Sequence, residues 1–139
     1  MDKVHDTLVE LGQGTPILFS ASARLLPLAL LTQFLTAGLA LFPAADLWGL
    51  HAAVGIGTGL PVLVLAGGAA LVVRLRGFGW WAGTVLALYI VQVMLAAGAN
   101  PSLLGLHPFN GALLFAASLV LLAKVERRRA ATLCLPDAR

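Results

Sequence analysis

Two histidines in this chain each stand four residues ahead of a glycine: His51 and Gly55 in "LHAAVG", His107 and Gly111 in "LHPFNG". On a helix, positions four apart share a face, so each imidazole lies above a residue without a side chain. The ring supplies a ligand nitrogen, and the glycine beneath it supplies a flat wall. A planar macrocycle ligated through its metal needs both, because a Cβ branch would strike the ring. Haem iron held between two imidazoles from facing helices fits that pattern. The plainer reading is a pair of interfacial histidines bonded to carbonyls or water, over glycines that only let helices approach closely. Two histidines in equivalent settings, each with its glycine, favour the shared ligand.

Other residues fall around this pair. Gln33 and Gln92 are uncharged but costly in lipid, so they should face the interior and find partners there. Orienting an imidazole and gluing helices together are both open to them. Trp48 is placed to lie over a ligand rim, and Asn100, Ser102 and Asn110 are polar helpers for anionic propionates. Helix N-termini near both histidines would favour neutral imidazole and could receive those carboxylates. Pro108 suits an early helical position with His107 near the cap; a helix beginning at Ser102 and kinked at the proline is the other option.

The elements that must position these residues are membrane spans. Of 139 residues, 60% are hydrophobic and 11% charged, more apolar surface than so small a domain could hide from water. Apolar runs cover about 25–42, 49–73, 80–98 and 103–123. Each has roughly the 17–25 residues a helix needs to cross a hydrocarbon core of about 30 Å. Connections rich in Pro and Gly at 42–48, 74–79 and 98–105 are short enough to make neighbours antiparallel. The expected fold is an all-α membrane protein, a four-helix up-and-down bundle over 25–123. An N-terminal segment (1–24) and a basic tail (124–139) flank it.

Charge sets an orientation. Lys3, Arg24, Arg74, Arg76, Lys124 and Arg127 to Arg129 lie at one end of the spans, while only Asp46 carries charge at the other. The positive-inside rule then places both termini in the cytoplasm of a prokaryotic cell, with a multi-pass protein in its cytoplasmic membrane. The hairpins also repeat weakly: a Gln, then Ala-Gly, a loop, and Gly-Leu-His-x-x-x-Gly. A parallel repeat about an axis along the membrane normal pairs Gln33 with Gln92 and His51 with His107.

Several function classes drop out. The basic residues sit at span ends without aromatic interleaving, so no nucleic-acid partner is expected, and "KVERRR" reads as a stop signal. The single cysteine, Cys134, makes no internal disulfide. "GIGTG" lies inside a span and is no nucleotide loop. The N-terminus lacks the layout of a secretory signal. Val4, Leu8 and Leu11 instead suggest a short amphipathic helix over 2–12 along the inner surface, with His5 solvated.

The quoted motifs resemble one half of the haem A synthase family, built from two related four-helix bundles that present histidines from helices two and four. The resemblance covers about 25–123, through Gln33 and Gly38, "HAAVG", Gln92 and Gly98, and "LHPFNG". The chain is also similar to small uncharacterised prokaryotic four-span membrane proteins. The family's catalytic half has a carboxylate one turn before its helix-two histidine and commonly an Arg after it; here those positions are Trp48 and Ala52. The resemblance therefore implies haem b ligation by His51 and His107, without the oxidative chemistry.

The expected function is a small b-type cytochrome carrying electrons, fed by a quinol or a redox partner protein. Oligomerisation through glycine-rich helix faces is open. Two rivals remain: an accessory or pigment-binding subunit of a larger respiratory or photosynthetic complex, and a cofactor-free scaffold or quinone-binding protein.

Overall fold

Proline and glycine decide where the helices stop. The structure, a computed structural model, describes residues 6–42, 47–98 and 101–134. Among these are α1 (Ile17–Ala40), α2 (Trp48–Gly57), α3 (Gly59–Leu71), α4 (Gly79–Ala97) and α5 (Pro101–Leu133). Leu11–Gln13 and Val73–Phe78 are 3-10 turns. The start of α1 follows Pro16, where Ser20 Oγ donates back to the proline carbonyl at 3.2 Å. α2 and α3 meet at Thr58 within one span, Trp48–Leu71. The break there follows from Pro61, which has no N–H for the Gly57 carbonyl and crowds it. Thr58 keeps the chain helical through the joint by donating to the Val54 carbonyl at 2.8 Å.

Four stretches are long and apolar enough to cross a membrane: Ile17–Ala40, Trp48–Leu71, Val73–Ala97 and Pro101–Leu133. α1 begins well before the expected Leu25, because its early polar residues Ser20 and Ser22 are buried against neighbours and do not break it. α5 starts at Pro101, so Pro108 is a helix-interior residue and His107 is not at a cap. Asp46, the loop residues 43–46, Asn100, Lys3, Val4 and His5 lie outside the described residues. Outward faces carry residues such as Ile56, Leu60 and Met94, each more than half exposed, as a lipid-facing surface requires.

The bundle runs up and down. Gln33, late in α1, meets His51, early in α2, while Phe19, early in α1, meets Gly68, late in α3. α1 touches α2, α3 and α5, and α4 touches α3 and α5. The α2–α3 span and α5 therefore face each other across a diagonal, flanked by α1 and α4. The apolar core is fullest in the half that carries the basic residues. Phe19, Leu26, Leu65, Leu75, Phe78, Leu121 and Val125 form its core, and Phe19 stacks on Phe78 with ring centroids 5.3 Å apart. No residue of α2 is buried. The opposite half is thus left open where the histidines stand.

The N-terminal segment differs from the expected amphipathic helix. Its described part is turns and a 3-10 turn folded over the basic end. The reason is Arg128, expected only as part of a charged tail but wholly buried at 0% exposure. Its guanidinium donates to the carbonyls of Thr7 and Val9 at 2.7 Å and of Glu10 at 3.3 Å. Glu10 adopts left-handed φ 52°, which aims its carbonyl at the same fork. The Glu10 carbonyl also accepts from the Gln13 N–H at 3.2 Å, so the guanidinium and the 3-10 turn share one acceptor.

Gly77 is the other contact of this strap. A Cβ there would run into the Asp6 carbonyl, a backbone group that cannot swing aside. Gly77→Ala is expected to lower stability by about 1–3 kcal/mol, the range for forcing atoms into a filled space. Thermal unfolding in detergent measures it; an unchanged Tm would mean the strap is not held against the bundle.

Candidate functional site

Each histidine is held by the flanking helix that precedes it. Residues 47–51 open α2 beside the end of α1, so the His51 Nδ1 comes within 3.2 Å of the Gln33 carbonyl. α5 lies along α4 in the same way, and the His107 Nδ1 is 3.2 Å from the Gln92 carbonyl. A carbonyl only accepts, so Nδ1 carries the proton in both rings and Nε2 keeps the lone pair. Among the described residues, neither Nε2 has a hydrogen-bond partner. The rings face one another across the diagonal with centroids 6.2 Å apart and planes inclined at 59°.

Thr36 adds an asymmetry. Its hydroxyl donates to the Thr32 carbonyl at 2.9 Å and lies 3.2 Å from the His51 Nδ1, which it meets as a second acceptor. Among the described residues, no hydroxyl meets the His107 Nδ1 in this way. Trp48 sets its ring edge-on against His51, centroids 5.8 Å apart at 79°, and braces the imidazole from outside. It does not line the space between the rings.

The glycines line the space between the rings and also give clearance to the glutamines. A Cβ on Gly55 would lie 3.1 Å from Gln33 Oε1, and one on Gly111 would lie 3.2 Å from Gln92 Nε2. Each glycine makes room for a glutamine amide, not simply for a bare wall. Gln33 uses that room to donate from Nε2 to the His51 carbonyl at 2.9 Å. Gln92 accepts at Oε1 from the Asn110 amide at 2.6 Å, and Asn110 also donates to the Leu88 carbonyl at 2.9 Å. Asn110 is accordingly buried and turned to α4, where it ties the helices together; it does not line the cavity as a helper for carboxylates. Ser102 has an interaction of its own, and Asn100 lies outside the described residues.

Between the rings runs a cavity of about 80 Å³, bounded by Leu30, Gln33, Phe34 and Ala37 of α1, the two histidines, Gly55, Thr58, Tyr89, Gln92, Gly111 and Leu114. It shares Gln33, His51, Gly55, Tyr89, Gln92 and His107 with a groove of about 340 Å³ that opens outward between α2 and α4. The enclosed part alone holds no more than a few waters, at about 30 Å³ each. The groove reaches the range of small-molecule pockets, about 300–1,000 Å³. The combined slot is apolar, with polar atoms gathered at the two imidazoles and two amides.

Tyr89 belongs to this slot as well. Its hydroxyl donates to the Gly55 carbonyl at 3.1 Å, and Gly59 gives it clearance, since a Cβ there would come within 2.7 Å of the oxygen. Spacing held the clue. Tyr89 stands three residues before Gln92 and Thr36 three after Gln33, so each shares its glutamine's helix face. Helix ends contribute unequally: His51 falls in the first turn of α2, whereas His107 is well inside α5. No cluster of three or more His, Cys, Asp or Glu occurs among the described residues.

Residues 33–100 match a family of unknown function, DUF6220. The matched stretch takes in Gln33, His51 and Gln92 and stops before His107. No curated protein and no solved structure matches the chain.

Proposed function

We propose that this protein is a small membrane cytochrome of b type, in which His51 and His107 ligate one haem for electron transfer. The observation that carries the reading is the 6.2 Å between the two imidazole centroids, with both Nδ1 atoms already engaged by carbonyls. A metal–imidazole bond is about 2.0–2.1 Å, and a ring centre lies about 1.1 Å behind its nitrogen. Two imidazoles on opposite sides of one metal therefore have centres about 6.3 Å apart. Packed rings also meet at this distance, as Phe34 and Phe115 do at 6.2 Å. The distinguishing feature is that both Nδ1 atoms are held by carbonyls and both Nε2 atoms have no partner among the described residues.

The residues fit the group in other respects. A hydrogen bond from Nδ1 to a carbonyl fixes the tautomer and raises the basicity of Nε2, the usual support for a metal-bound histidine. Apolar walls from Leu30, Phe34 and Leu114 keep water from the slot, and its lateral opening lets a macrocycle wider than the enclosed cavity extend towards lipid. Haem would supply a one-electron couple; His51 and His107 would hold it, and Leu30, Phe34 and Leu114 would exclude water. With both imidazoles committed to the group, no side chain of the slot is left to act on a substrate, which favours electron transfer over catalysis.

The paired distances support a parallel repeat of the two hairpins, because each Gln carbonyl, histidine and glycine in one has its counterpart in the other. The basic end, with both termini, faces the cytoplasm in this reading, and the histidines lie towards the outer side of a prokaryotic cytoplasmic membrane. A quinol or a redox protein is the electron donor. The likeness to the haem-holding half of haem A synthase implies the same chemistry.

A dithionite-reduced minus oxidised spectrum of the detergent-purified protein tests the proposal. A low-spin haem α-band is expected. A colourless protein whose spectrum shows no change on titration with haem would refute it, and far-red absorption would point instead to a chlorin pigment.

A further inference from the structure

A second cavity, of about 360 Å³, lies at the basic end of the bundle, remote from the histidines and lined by Gly77, Trp80, Trp81 and Lys124. Four other cations of that end are engaged, Arg74 with the Gln13 amide oxygen. Arg24 and Arg129 share the Glu126 carboxylate, and Arg128 holds the N-terminal carbonyls. Lys124 has no partner among the described residues, and neither indole N–H finds an acceptor. The cavity is therefore walled by three side chains whose donors the protein leaves unsatisfied. Exposed Arg76 and Arg127, next to Gly77 in sequence and three residues on from Lys124, add positive charge that no acidic side chain among the described residues answers.

The lining residues describe the ligand. An ammonium asks for an anion, and an indole asks for an acceptor beside apolar contact. Tryptophan pairs settle where headgroups meet acyl chains, and unpaired Lys and Arg at that level attract anionic lipid. We propose that this cavity seats the phosphodiester of an anionic phospholipid, with Lys124 as its counter-ion and Trp80 and Trp81 donating to phosphate or ester oxygens. The proposal is independent of the histidine site.

Native mass spectrometry of the full chain, offered phosphatidylglycerol and phosphatidylcholine in equal amounts, tests it. The protein is expected to retain the anionic lipid about fivefold over the zwitterionic one, the preference one juxtamembrane cation confers. Lys124→Gln should erase that preference, and Lys124→Arg should restore it. Inorganic phosphate, without acyl chains, should not displace the lipid. Equal retention of both lipids, a preference that survives Lys124→Gln in a folded protein, or displacement by inorganic phosphate would each overturn the assignment.

Discussion

Replacing either His51 or His107 with alanine is expected to remove the low-spin haem spectrum and to lower haem retention on the order of 100-fold. Losing even an outer-shell partner of a metal ligand typically costs about 10–100-fold in affinity, and a ligand itself should cost no less. The two variants should fail alike, because the rings face one slot at a centroid separation of 6.2 Å. A haem-to-protein ratio and a reduced spectrum measure the effect, with circular dichroism checking that the helices persist.

The glutamines provide the contrast. Both Nδ1 acceptors are backbone carbonyls, so Gln33→Leu and Gln92→Leu leave those hydrogen bonds standing. These variants should keep the low-spin band while losing stability, since the Gln92 amide anchors Asn110 and the Gln33 amide caps the His51 carbonyl. A glutamine variant that kept its helices yet lost haem as completely as the histidine variants would show that the amides are needed to hold the ligand, contrary to this expectation.

The second large effect is expected from Arg128→Ala. The change deletes two 2.7 Å charge-assisted hydrogen bonds and strands the Thr7 and Val9 carbonyls beneath the N-terminal strap. Hydrogen bonds to charged groups contribute about 1.5–3 kcal/mol each, so the strap should lose about 3–5 kcal/mol. At about 1.4 kcal/mol per factor of ten, that is on the order of 100-fold or more in its opening equilibrium. Residues 6–16 contain no Lys or Arg but do contain Glu10, so cleavage after glutamate reads the opening where trypsin could not. Arg128→Lys should rescue little, because an ammonium cannot reproduce the planar fork across three carbonyls. Cleavage at the parent rate in Arg128→Ala would mean that the strap is held by something else.

The four spans and the two histidines were legible in the chain itself. Hydropathy is a sum along the sequence, and a run of about 20 apolar residues must be helical to satisfy its backbone in lipid, whatever its neighbours do. The importance of Gln33 and Gln92 was legible for the same reason, as polar groups too costly to leave facing acyl chains. Pairing each histidine with a glycine four residues on rested on helical spacing, which local sequence also dictates.

Tertiary structure decided what those residues touch. Which side chain fills the space beside Gly55 depends on how α1 is rotated about its own axis, and the answer was the Gln33 amide. Arg128 looked like one more basic residue of a cytoplasmic tail, yet the fold buries it completely beneath the N-terminal strap. Tyr89 and Thr36 joined the site, and Asn110 left the cavity wall, for the same cause. Helix formation needs only nearest neighbours in the chain, whereas the angle at which each helix presents its side chains is set by the whole bundle closing on itself.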